Sequence, residues 1–201
     1  MKLTNAISRL LAITSTILVI SCNGCGEKQD EVKPESKSTL TSSARNNITG
    51  VIGEGTTMNV LELVTLEGDT LNMEIGNDRF FGGKIVGDTV QVTYISVENQ
   101  LISSTVVNLM TLRHVWAMHD DSQGVTKYLE LDPNGRAHLF VDKRETNTYE
   151  SWKLDDGFIA LTAPADTAGI SKVDTIEIQT LDTDTMTIAN GEKTLTFWRY
   201  N

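Results

Sequence analysis

The feature that most constrains this chain is its punctuation. From residue 47 onward, short alternating runs of apolar and polar residues are cut by turn residues. Val90, Val92 and Tyr94 alternate with Thr89, Gln91 and Thr93. Val125, Lys127, Leu129 and Leu131 alternate, then Ala137, Leu139 and Val141. A period of two places alternate side chains on one face of a strand. The interruptions are Glu67-Gly68-Asp69, Gly87-Asp88, Asp132-Pro133-Asn134-Gly135, Asp155-Asp156-Gly157 and Asn190-Gly191. Gly, Asn and Asp supply the backbone conformations that tight turns require, and Asn-Gly is a strong hairpin signal. Abundant Val and Thr point the same way. The expectation is an all-β chain.

The runs fall into two groups. Residues 47–110 read as five short strands, a small barrel of the OB or SH3-like sort, with 87–94 as its closing strand. Residues 111–201 read as eight strands, at 114–118, 125–131, 137–141, 146–154, 158–162, 173–181, 185–189 and 195–200. Every link but the one after Thr162 is short, so sequence neighbours should be sheet neighbours. An even-numbered meander of this kind closes most easily into an up-and-down barrel.

The N-terminus has a different texture. Lys2 and Arg9 precede an uncharged, mostly apolar run at 10–20, too short to span a bilayer and right for a signal peptide. It ends in Val19-Ile20-Ser21-Cys22. This resembles a bacterial lipobox, in which the Cys thiol takes a diacylglycerol and the peptide is cut just before it. The expectation is a signal peptide at 1–21 and lipidation at Cys22, with acyl chains contributing ~0.8 kcal/mol per buried CH₂. Cys25 is a poorer candidate, because Cys22-Asn23-Gly24 makes an inferior lipobox. Asn23 in place of Asp, by resemblance to Gram-negative sorting, leans toward the outer membrane. Residues 22–46 are polar, with four bases and four acids between 27 and 46, and read as a solvated tether.

Charge excludes one class of partner. The chain carries −10, and loss of residues 1–21 leaves 15 basic against 27 acidic side chains, or −12. Phosphate backbones repel such a protein. The small unit has Arg79 and Lys84 against eight acids, and only Phe80, Phe81 and Tyr94 as aromatics. That is no groove for nucleic acid, and a spacer or docking face is the preferred reading.

Three stretches carry a family resemblance: Leu112-Arg113-His114-Val115-Trp116, Tyr149-Glu150-Ser151-Trp152-Lys153-Leu154, and Phe197-Trp198-Arg199-Tyr200. With them the second unit resembles the small lipocalin-like lipoproteins of Gram-negative bacteria. The resemblance implies that a first-strand Trp packs under a last-strand Arg at one barrel end, and Trp116 and Arg199 match those roles. Lipocalins place Gly two positions before that Trp, and here His114 stands there. So short a barrel fills readily with its own side chains.

No constellation for catalysis stands out. His119-Asp120-Asp121 could begin a metal site, but no Cys or paired His completes a ligand set. Asp155-Asp156 reads as turn chemistry, and Asp182-Thr183-Asp184 lacks the Gly and closing Glu of a calcium loop. There is no nucleophile elbow, phosphate loop or dinucleotide fingerprint. Hence no catalytic residue, metal or cofactor is expected. Phe140, Tyr149, Trp152 and Trp198 are the candidate ligand-lining residues, with ordinary core as the plainer alternative. The leading reading is a non-enzymatic module, anchored in the cell envelope by its lipid, for a small or apolar ligand. The alternative is an adaptor or inhibitor for a basic protein partner, and the least favoured is a hydrolase using His119 and Asp120. An interior void of several hundred Å³ would favour the small ligand, and a filled interior the protein partner.

Overall fold

A computed structural model describes residues 44–76 and 79–200, with the side chains of 147 and 148 excepted. The lipobox, Cys22, Cys25 and the tether up to residue 43 lie outside the described residues.

The first six strands are β1 (Asn46–Ile52), β2 (Val60–Thr65), β3 (Thr70–Ile75), β4 (Phe80–Phe81), β5 (Thr89–Val97) and β6 (Gln100–Asn108). β1 pairs with both β2 and β5, β2 with β3, and β5 with β6. β3 then closes on β6 in parallel, Glu74 opposite Ile102 and Ile75 opposite Ser103. The result is the expected five-strand barrel, with β4 added alongside β6. A three-strand meander whose next long strand returns to the first is Greek-key connectivity, the OB kind. The alternating pattern explains the core: Leu61, Leu63, Met73, Val90, Val92 and Val106 all point inward and are buried.

A single helical turn, α1 (Leu109–Leu112), joins the two sheets, capped by the Asn108 side chain accepting from the Thr111 amide at 3.1 Å. Then follow β7 (Val115–Asp120), β8 (Val125–Leu131), β9 (Ala137–Val141), β10 (Arg144–Tyr149), β11 (Ser151–Asp155), β12 (Phe158–Thr162), β13 (Val173–Leu181), β14 (Thr185–Asn190) and β15 (Lys193–Arg199). Their order is β10-β9-β8-β7-β15-β14-β13-β12-β11. Sequence neighbours are sheet neighbours throughout except at the two edges, and the first strand pairs with the last, as an up-and-down barrel requires.

The count differs from eight. The run expected as one strand at 146–154 is two, β10 and β11, which form opposite edges of a curled nine-stranded sheet. The reason lies in side-chain direction. Tyr149 and Trp152 both pack into the interior cluster. Three positions apart on one continuous strand, they would face opposite sides. The chain therefore bends at Glu150, and a register shift between Glu145 and Asn147 precedes the bend. The rest of the interior is filled, with Trp116, Leu131, Ile159, Ile178, Met186 and Phe197 among its buried side chains.

Phe81 and Val107 of the first barrel, with Leu109 and Leu112 of α1, belong to the same buried cluster as the second sheet. Polar contacts add to the join. The Gln91 amide donates to the Leu154 carbonyl at 2.6 Å, and Asn47 donates to Asp155 at 2.9 Å.

Candidate functional site

At one end of the nine-stranded sheet, Trp116 and Arg199 sit opposite each other in the β7–β15 register. Trp116 is fully buried, and its indole N–H donates to the Leu112 carbonyl at 2.9 Å. The guanidinium that lies over a Trp face here is that of Arg113, 5.8 Å from the Trp152 ring centroid. Burial lowers the affinity of the Arg113 guanidinium for its proton, and its buried Nε has no partner among the described residues. Trp152 is tied down through its indole N–H to the Asp132 carbonyl (2.9 Å) and its amide to the Gly135 carbonyl (2.7 Å). Both tryptophans belong to the buried interior cluster, each with its N–H satisfied. His114 packs edge-on to Trp116 at 6.3 Å, and burial first, then the Arg199 charge, lowers its pKa.

The four residues expected to line a ligand do not share one pocket. Tyr149 and Trp152 face the interior cluster. Phe140 and Trp198 face outward, and Trp198 is 53% exposed. Cross-strand partners share a face, and the register runs Trp198–Ala117–Tyr128–Phe140 across β15, β7, β8 and β9. Tyr200 joins this outer face, its ring edge-on to Tyr128 at 5.0 Å. Together Val115, Tyr128, Phe140, Tyr200 and Lys143 line an open pocket of about 350 Å³. Lys143 reaches it from a two-residue β9–β10 turn in which Asp142 and Lys143 both have positive φ, 47° and 67°. The turn is pinned where the Asp142 carboxylate accepts the Thr126 amide at 2.9 Å. Pockets of this size and apolar character suit small ligands.

A second opening of about 350 Å³ lies where β7 and β15 part, lined by Met118, His119, Asp120, Asp121, Leu195 and Trp198. The two strands pair only at Trp116–Arg199 and Ala117–Trp198. Asp120 is engaged: Lys127 Nζ lies 2.7 Å from one carboxylate oxygen, and the Ser122 hydroxyl donates to the other at 2.5 Å. Lys127 and then Ser122 hold its carboxyl down to about 2. His119 Nε2 is 3.6 Å from Asp121, whose side chain is almost wholly exposed. An acid so committed is a structural anchor and a poor general base at neutral pH. Among the described residues, no group of three or more His, Cys, Asp or Glu could hold a metal ion.

The family comparison agrees with the fold of the C-terminal sheet. Residues 110–200 match the family model described as lipocalin-like. A lipocalin-like protein from Bacteroides thetaiotaomicron of known crystal structure is 22% identical, covering 45% of this chain and 97% of its own, with a TM-score of 0.36. No curated protein matches the chain. The similarity to the lipocalin-like family is confined to residues 110–200 and leaves the first barrel outside it.

Sequence reasoning missed Tyr128, Lys143 and Tyr200. The signal was present in part: Tyr128 and Phe140 occupy the polar phase of their alternating runs, where an aromatic side chain faces out.

Proposed function

We propose that this protein is a lipid-anchored component of the bacterial cell envelope whose lipocalin-like sheet binds, without catalysis, a small ligand offering a flat apolar face. The observation that carries the binding half is the outward aromatic pocket of Val115, Tyr128, Phe140 and Tyr200. Three aromatic rings gathered on the outside of a sheet whose interior is already filled leave the outer face as the place for a ligand. The lipobox at Val19-Ile20-Ser21-Cys22 supports the anchor, and Asn23 favours the outer membrane. Binding by contact rather than chemistry fits Asp120, which is spoken for by Lys127 and Ser122.

Two measurements test this. Radiolabelled palmitate should label the expressed protein and fail to label Cys22→Ala. A fluorescent naphthalene probe should bind the protein, and Tyr128→Ala should weaken it about tenfold. Labelling of Cys22→Ala, or probe binding indifferent to Tyr128, sinks the corresponding half.

The filled interior also favours the alternative, an adaptor or inhibitor for a basic protein partner, because the surface is acidic. Native mass spectrometry of the protein from its own host separates the two. A small co-purifying mass supports the ligand, and a stoichiometric basic polypeptide supports the adaptor.

A further inference from the structure

We propose that the outer aromatic row is a platform for a neutral oligosaccharide laid across the strands. This rests on the ligand-binding reading above and names the class of ligand.

The row is a straight consequence of register. Trp198, Ala117, Tyr128 and Phe140 are successive cross-strand partners. With strands ~4.8 Å apart, three spacings make a line of roughly 14 Å. Ala117 leaves a dip between the Trp198 and Tyr128 rings, and Tyr200 stands edge-on beside Tyr128. Trp198 and Tyr200 are 53% and 48% exposed.

What surrounds the row decides what it holds. Two residues away along each strand, one side is polar throughout, with Thr196, His119, Thr126 and Asp142, and the other carries Glu130 and His138 beside Val115 and Tyr200. On this second side His138 lies 2.7 Å from Glu145, with Glu130 its neighbour in register. On the first, Thr196 lies 3.3 Å from Thr187, and His119 lies 3.4 Å from Thr126. An aromatic row edged by hydrogen-bonding groups is the complement of a pyranose ring. Such a ring offers C–H bonds on its face and hydroxyls around its rim. The negative face of an aromatic ring attracts those C–H bonds. Hydroxyls both donate and accept, so carboxylate, imidazole and threonine margins all suit them. A fatty chain would leave those hydrogen-bonding groups unused. A nucleotide or acidic glycan would be repelled by a chain of net charge −10.

The test uses the full-length protein in detergent and acrylamide quenching of tryptophan fluorescence. Trp116 and Trp152 are buried, so quenching reports on Trp198, the third of the three tryptophans. The probes are cellotriose, maltotriose and chitotriose, with trigalacturonate and decanoate as controls. At least one neutral trisaccharide should protect Trp198 at millimolar concentration. By calorimetry, Trp198→Ala and Tyr128→Ala should each weaken that sugar about tenfold or more, and Trp198→Phe should retain most of the affinity. Protection by decanoate alone overturns the saccharide and leaves the flat apolar ligand standing. Tighter binding of trigalacturonate, or sugar binding that ignores both variants, also overturns it. If no probe protects Trp198 and the naphthalene probe ignores Tyr128, both readings fall together.

Discussion

The carboxylate of Asp156 accepts the hydroxyl of Thr105 at 2.5 Å, and this contact fastens the second sheet to the first barrel. Asp156 sits at the tip of the β11–β12 turn with φ of 45°, followed by Gly157 at 81°. Those signs define a two-residue hairpin turn that Asp-Gly tolerates. Its other carboxylate oxygen lies 2.7 Å from Arg45, and its amide donates to the Thr93 hydroxyl at 3.3 Å. A turn residue has become the bolt between two folding units.

That bolt predicts a specific loss. Asp156→Gly preserves the backbone conformation and strands the buried Thr105 hydroxyl. A buried donor without a partner costs about 1–3 kcal/mol. Urea denaturation should show that loss, and adding Thr105→Val should recover part of it. A loss under about 0.5 kcal/mol, or strict additivity of the two changes, refutes the coupling.

Buried Trp116 makes a second prediction. Trp116→Phe leaves the Leu112 carbonyl without its indole donor and opens space at a fully buried position. Together these should cost about 2–4 kcal/mol, measured by thermal or chemical denaturation. A variant of unchanged stability would show that the Trp116 indole contributes nothing.

His114 should make stability depend on pH. Burial and the Arg199 charge lower its folded pKa. The unfolded chain then binds the proton more tightly, so stability is full above the ordinary histidine value of about 6.5 and falls as pH drops through it toward the lowered folded value. Denaturation midpoints compared at pH 7.5 and at about pH 5.5 should differ less in His114→Gln than in the parent. An identical difference in both would rule out His114 as the source.

Asp120 acts lower on the scale. Its carboxyl, held to about 2 by Lys127 and Ser122, contributes stability that is present above the unfolded value of about 3.9 and lost as pH falls toward 2. Lys127→Met removes the larger cause, so its acid unfolding should begin at higher pH and show a shallower slope in this window. Superimposable acid titrations of Lys127→Met and the parent protein would contradict the assignment.

Much of the architecture was readable residue by residue. Alternation at 89–94 and 125–131 is local, and a strand's face follows from spacing alone. The turns at Asp155-Asp156-Gly157 and Asn190-Gly191 were legible because positive φ has few chemical solutions. The break at Glu150 was not. It depends on Tyr149 and Trp152 both turning inward, a demand set by the far wall of the sheet and invisible in a run that alternates well enough to pass as one strand.

The candidate site divides in the same way. The lipobox-like run ending at Cys22 is a linear pattern, and it is read without any fold. The outer pocket is assembled from residues as distant as Val115 and Tyr200. Sequence alone specified two all-strand units, their order, and an acidic composition. The fold alone decided which aromatics look outward, because inside and outside are assigned by register between strands. Register is a property of pairs that meet only once the chain has closed on itself.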